Sequence, residues 1–308
     1  MVMDDLLLHI FCLFDQTIKD LHLGSTDLRR RGPQPTVSDA EVLTMEVVGE
    51  MLGLDRDTAL FQHFRTYHLR EFPALARIDR TTFVRQAANL WHLKERLHRH
   101  LAGALLDQRA WKMPPGTPLT PLWVIDSFPL PACRFARRPS CQRFKGLAAC
   151  GFDHTANAVY YGFRVHLRCA DCGVIGQVEV APANIHDSDL VEELLPANGV
   201  GLGDRNYWDP SQTRDLAAQG KTLIAPFRRK STDPWPKRSA VISKLRQVIE
   251  PVIGQLAVRF NAKCTWARDR WHLCSRLYRK ILAHTTALIL NDRLGNPLLQ
   301  LELLFNGK

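Results

Sequence analysis

At Pro121 the spacing of apolar residues changes, and that change limits the fold more than any other feature of the chain. Before it, apolar residues recur with the period of a helix. After it come short runs rich in β-branched and aromatic residues, separated by polar turns, which is how strands read. PLWVID at 121–126 is a first strand, AVYYGFRVHLRCA at 158–170 a second and GVIGQVEVAP at 173–182 a third. DSDLVEELLP follows as a short helix that Asp187 can cap. GVGLGD at 199–204 is a short fourth strand, SQTRDLAAQG a helix closed by Gly220, and KTLIAPF a fifth strand. From Ala240 helical spacing returns, with Val241, Leu245, Val248, Ile249 and Val252 as its stripe. Three strands, helix, strand, helix, strand, helix predicts an α/β fold: a mixed five-stranded sheet with flanking helices.

The residues before this region predict an all-α N-terminal domain. VSDAEVLTMEVVGEMLG places Ser38 three residues before Glu41, a capping-box pattern, and Gly53 can end the helix. Its stripe is Val42, Leu43, Val47, Val48, Met51 and Leu52. A further helix is expected within 57–70, and another from Asp79, which can cap it. Such a bundle could contact DNA or serve as a packing or dimerisation unit. MPPGTPLTP at 113–121 reads as a linker, giving domains at 1–112 and 122–308, the second with a basic helical end.

Charge narrows the function. The chain of 308 residues has a net charge of +10, yet residues 226–280 alone hold fourteen Lys/Arg against three Asp/Glu. A basic block that dense suits a polyanion, most simply double-stranded DNA, although a solvated helical face has the same composition. No apolar run reaches the ~20 residues of a membrane helix, and the acidic start lacks a basic signal region, so a cytoplasmic protein with no membrane partner is expected. Of eight cysteines only Cys169 and Cys172 are closely spaced, half of a zinc site at best, and ordinary reduced thiols are expected.

Two of the strands end on aspartate: LWVID at Asp126 and GVGLGD at Asp204. If the two lie side by side and parallel, both carboxylates emerge at one sheet edge, where α/β proteins gather ligands. Carboxylates that close repel unless a cation lies between them. Hard oxygen donors suit Mg²⁺, and a pair of ions on such donors supports in-line displacement at phosphorus. RQVIEPVIGQL offers a third carboxylate, Glu250, with Arg246 one turn earlier. The plainer reading makes the aspartates turn or cap residues and Arg246 with Glu250 a helix-surface pair.

The segments VIDSFPLP, FKGLAACGF, YYGFRVHL, ANIHDSDLVEELL, GLGDRNYWD and RQVIEPVIGQL, in this order, resemble bacterial insertion-sequence transposases of the DDE class, nearest the insertion-sequence 982 group. The likeness runs from about Ser38 to about Asn291. It implies an RNase H-like catalytic fold, with Asp126, Asp204 and Glu250 as catalytic and metal-binding residues. It also implies two Mg²⁺ ions, for which Mn²⁺ can substitute, and metal-dependent cleavage and strand transfer at the element's ends. The implied partners are terminal inverted repeats and target DNA, bound by a homodimer on nucleoid DNA. Related families carry Tyr seven residues before the Glu and Lys seven after it; here Ser243 and Ala257 stand there, and only Arg246 of that signature is kept. Pro251 directly after Glu250 removes a helix hydrogen bond and invites a kink.

Lys145, Arg164, Arg205, Arg228, Arg229, Lys230 and Arg246 are the expected phosphate contacts, and Trp208 can stack on an unpaired base. Asp187 is expected as a helix cap rather than a site residue, and His166 as a packed histidine or one facing the site edge. Two other functions fit the same residues: an RNase H-like endonuclease without strand transfer, and a noncatalytic DNA-binding remnant of a transposase.

Overall fold

The computed structural model describes residues 3–23, 33–111 and 121–305. Residues 113–120 of the expected linker lie outside them. The chain divides into two compact units, residues 1–101 with 256–308, and residues 102–255.

The described elements of the first unit are helical: α1 (Met3–Asp20), α2 (Asp39–Met51), α3 (Asp57–Tyr67), α4 (Arg80–Asn89), α5 (Trp91–Trp111) as far as Leu101, α10 (Arg270–Arg293) and α11 (Glu302–Phe305). The predicted caps hold. Ser38 accepts from the Glu41 amide while Glu41 accepts from the Ser38 amide, and Asp79 accepts from the Thr82 amide at 2.7 Å. Gly53, at φ +78°, ends α2 in the left-handed region that an L side chain resists. The expected single helix after Asp79 is two, α4 and α5, which meet at Leu90.

Amphipathic reading of α2 was too narrow. Every residue of this helix except Glu41 is buried, because α1, α3, α4 and α10 surround it. Two of its buried residues, Glu46 and Glu50, lie outside the apolar stripe and are charged. Their cations come from far along the chain. Glu46 lies 2.6 Å from Lys94 of α5, and Glu50 pairs with Arg279 at 2.5 Å and Lys280 at 2.8 Å, both on α10. Asp57 completes the group, 2.5 Å from Arg276 and 2.9 Å from Arg279. A buried charge without a partner costs several kcal/mol, so these pairs tie α10 to α2. Residues 256–308 belong to the same compact unit as the N-terminal helices.

The second unit holds the sheet, which has six strands among the described residues, one more than expected: β1 (Leu122–Arg134), β2 (Ala149–Asp153), β3 (Ala158–Ala170), β4 (Ile175–Pro182), β5 (Val200–Leu202) and β6 (Thr222–Ile224). β3 is the antiparallel partner of β1 along one edge, and its other edge takes β2 and then β4. β1, β5 and β6 run parallel in that order. Helix α6 (Val191–Leu194) leads from β4 into β5, α7 (Pro210–Ala218) leads from β5 into β6, and α8 (Pro236–Arg246) and α9 (Ile249–Gly254) follow. Trp123, Ile125, Leu194, Tyr207, Leu216 and Leu223 belong to the core that these elements share.

The stripe predicted from Ala240 is only partly buried. Val241 and Leu245 are exposed at 59% and 49%, while Ile242, Ile249 and Val252 are buried. Pro251 explains the change of face. It has no N–H for the carbonyl of Gln247, four residues back, and its ring crowds that carbonyl. The helix breaks there: α8 ends at Arg246, and the Glu250 amide takes the Gln247 carbonyl instead at 3.3 Å.

Candidate carboxylate site

β1 does not end at Asp126. It runs on to Arg134, paired with β3 throughout. What ends is its neighbour on the other side. The parallel ladder with β5 pairs Leu122 with Val200, Trp123 with Gly201 and Val124 with Leu202, then stops. Carried two residues further, that register brings Asp126 level with Asp204. Both carboxylates thus stand at the carboxyl end of β5, where the sheet opens on one side. A lone carboxylate inside an apolar run is tolerable there because one edge is free of strand.

Asp204 caps the 3₁₀ turn Arg205–Tyr207. It accepts from the Asn206 amide at 2.8 Å and from the Asn206 side chain at 3.1 Å. Asp126 accepts from the Ser127 amide at 2.8 Å and from Arg246 Nη2 at 3.2 Å. Its pKa is pushed up to about 6, chiefly by burial; the Arg246 guanidinium and the Ser127 amide oppose the rise, and Asp204 and Asp187 add to it. A carboxylate held among two others, with a guanidinium laid on it, is a place where a cation is stabilised.

Asp187 is the residue that sequence reasoning misplaced. The cap of its turn is His186, and the Asp187 carboxylate turns inward to the sheet. It accepts from Ser127 Oγ at 2.8 Å and from Arg164 at 3.1 and 3.2 Å. His166 Nδ1 lies 3.4 Å away, fully buried, its pKa lowered to about 4, above all by burial. His166 is therefore a neutral packed ring beside the site. The sequence did carry a signal: Asp126 and Ser127 adjoin on β1, and HDSD precedes the helix that leads into β5.

The remaining expected residues divide. Glu250 lies on α9, which packs against β1, but its side chain is exposed, and among the described residues no three His, Cys, Asp or Glu side chains converge as a ready metal centre. Arg205 donates to the Phe227 carbonyl and lies 3.7 Å from Asp233. Trp208 is half-buried, its ring 5.1 Å from that of Phe227 and packed on the core. Lys145, Arg228, Arg229 and Lys230 are exposed. Arg205, Lys230 and Lys244 line a cleft of about 610 Å³ with Ser243, Gln247 and Asp233, three cations against one carboxylate.

A mixed sheet with flanking helices, whose parallel register brings Asp126 of β1 level with Asp204 just past the end of β5, is consistent with an α/β nuclease-like fold. Residues 117–270 match the family described as transposase DDE domain, and the chain belongs to that family. Its members act in DNA transposition and recombination. No curated protein and no solved structure matches the chain. Among the described residues no helix is long and apolar enough to cross a membrane.

Proposed function

We propose that this chain is the transposase of an insertion sequence of the 982 group, with an RNase H-like catalytic unit that cuts the ends of its element and joins them to target DNA. The observation that carries this reading is the register that brings Asp126 level with Asp204 at the open side of β1. Asp126, Asp204 and Glu250 would hold two Mg²⁺ ions. The donor set fits: all are hard carboxylate oxygens, and Arg246 already occupies Asp126 as a cation would. Bound there, divalent cations would supply an activated water and charge stabilisation at the leaving 3′ oxygen.

The chain's own residues do the rest. Asp204 is fixed by the Asn206 hydrogen bonds, so its carboxylate is oriented before substrate arrives. Arg246 opposes the upward shift that burial imposes on Asp126. Arg228, Arg229 and Lys230, all exposed, neutralise phosphates on the approach to the site, with Lys145, Arg205 and Lys244 contributing. Water attacks phosphorus and the P–O3′ bond breaks, freeing a 3′-hydroxyl that in turn attacks a target phosphodiester. Two equivalent element ends suit a homodimer on DNA.

The test uses a labelled duplex carrying one terminal repeat, taken from the DNA flanking the gene, with Mg²⁺ or Mn²⁺ and then with chelator. Metal-dependent nicking at the repeat end, lost in Asp126→Ala, Asp204→Ala and Glu250→Ala, and strand-transfer products from a supplied 3′-hydroxyl end are expected. Cleavage that survives Glu250→Ala would remove Glu250 from the triad. Cleavage without joined products would leave an endonuclease, and tight end binding without cleavage a DNA-binding remnant.

A further inference from the structure

From Ser127 to Phe152 the chain carries five cations, Arg134, Arg137, Arg138, Arg143 and Lys145, and no Asp or Glu. They stand at the last residue of β1 and in the connection from it to β2, and all five are exposed. A run of like charges repels itself and usually stays a solvated, shapeless segment. This connection is built instead. Phe144 is buried against Phe163 of β3, the two rings edge to face with centroids 5.1 Å apart. The Phe144 carbonyl accepts from the Leu147 amide at 2.9 Å, the Ala148 amide at 3.0 Å and the Tyr161 hydroxyl at 3.1 Å. Phe144 holds φ +56°, the left-handed region that an L side chain resists, and these contacts offset that local cost. With Phe144 turned inward, its neighbours Arg143 and Lys145 face solvent. On the other arm the 3₁₀ turn Phe135–Ser140 exposes Arg137 and Arg138. Cations held together with no acidic residue between them are stabilised by a polyanion.

Their place in the fold says which polyanion. β1 carries Asp126 as well, and Arg134 stands eight positions beyond it on the same strand, which bulges once between Pro131 and Cys133. At about 3.3 Å per strand residue the loop begins no more than about 26 Å from Asp126. Duplex DNA rises about 3.4 Å per base pair, so a duplex cut at Asp126 can meet the loop within about eight base pairs.

We propose that the loop from Arg134 to Lys145 is a second DNA-contact surface, holding backbone phosphates of the bound duplex a short distance from the point of cleavage. This rests on the DNA-cutting reading above and adds a surface that lies outside the basic block at 226–280.

Anisotropy titration of the full chain with a duplex carrying one terminal repeat and its flank, between 50 and 200 mM salt, tests this. The variant combines Arg137→Gln, Arg138→Gln, Arg143→Gln and Lys145→Gln, and a charge-keeping control combines Arg137→Lys, Arg138→Lys and Arg143→Lys. Each neutralised phosphate adds about 0.9 to the slope of log K against log salt, so the glutamine variant should lower that slope by about 2 to 4. The lysine control should keep the wild-type slope, and Tm should be unchanged in both, since the altered side chains are exposed. Hydroxyl-radical footprinting should show the lost protection within about ten base pairs of the nick. A fall in slope under about 2, an equal fall in the lysine control, or protection lost only farther away would overturn the proposal. If wild type still nicks the repeat end in any of these cases, the transposase reading stands without this loop. Wild type that binds the duplex through the loop but never cuts it would leave the surface standing and overturn the catalytic reading. Wild type that binds no DNA would overturn both.

Discussion

Replacing Glu50 by glutamine removes one charge and almost no volume from the interior of the helical unit. Glu50 is 1% exposed and holds two cations equally buried: Arg279 Nε donates to one oxygen at 2.5 Å and Lys280 Nζ to the other at 2.8 Å. Arg279 keeps Asp57 at 2.9 Å and the Asp55 carbonyl at 2.8 Å. Among the described residues Lys280 then keeps only the Phe260 carbonyl at 2.7 Å, and becomes a buried ammonium with no described anion in contact. Breaking a buried ion pair from one side costs about 3–5 kcal/mol, and Glu50→Gln is expected to lose that much. Adding Lys280→Met removes the stranded charge and leaves Arg279 with Asp57. Replacing both partners by neutral groups is often close to neutral, so the double variant should recover at least about 2 kcal/mol. Urea unfolding followed by circular dichroism at 222 nm reads all three proteins. A loss under about 1 kcal/mol for Glu50→Gln, or a double variant no more stable than the single one, would refute the argument.

Three further outcomes follow from the same reasoning. His98 is fully buried with Nδ1 2.9 Å from Thr285 Oγ1, and burial, His284 and Arg99 lower its pKa to about 3, while burial lowers that of His284 to about 4. Both values lie below the ordinary 6.5, so the unfolded chain binds the protons first. Their contribution is complete above pH 6.5 and falls by about 2 kcal/mol per histidine at pH 5, which a urea midpoint at pH 7.5 and pH 5 measures, with His98→Gln showing the smaller fall. Gly203→Ala drives a methyl into Tyr207 and should lose about 1–3 kcal/mol with disturbed metal-dependent cleavage; an unchanged Tm would show that the turn yields freely. Changing Arg228, Arg229 and Lys230 together to glutamine should reduce the slope of log K for DNA against log salt by about 2 to 3, as measured by anisotropy between 50 and 200 mM salt, and an unchanged slope would place the DNA elsewhere.

What could be read in advance was local. Alternation marked β3 with the ends it has, 158 to 170, and the capping box at Ser38 and Glu41 fixed the start of α2. The short apolar runs before Asp126 and Asp204 marked the two parallel neighbours β1 and β5, although β1 runs on to Arg134 and β5 ends at Leu202, two residues before Asp204. What escaped depends on partners. β1 continues past Asp126 through Pro129 and Pro131 because β5 pairs with it no further than Val124, and a proline on an unpaired edge forfeits no ladder bond. The burial of Glu46 and Glu50 has no local signal, because their cations stand 48 and 229 or 230 positions away. Asp187 fits a helix cap by its spacing alone. Only the pairing of β1 with β3 brings Ser127 opposite His166, two residues from Arg164, and closes a polar pocket around it.

The order in which the ribosome releases the chain meets that long-range pairing unevenly. The sheet unit is one continuous stretch, 102–255, and has all its residues once it has emerged. The helical unit does not. α2 emerges with two acidic groups bound for the interior, and the arginine and lysine that neutralise Glu50 follow 229 and 230 residues later. At about 5–20 residues per second that is a delay on the order of 10 to 50 seconds. Until α10 arrives, α2 has no low-energy way to bury Glu50. A product cut short before Arg270 keeps every carboxylate of the site but has no closed helical unit, so the last part of the gene decides whether the first part folds.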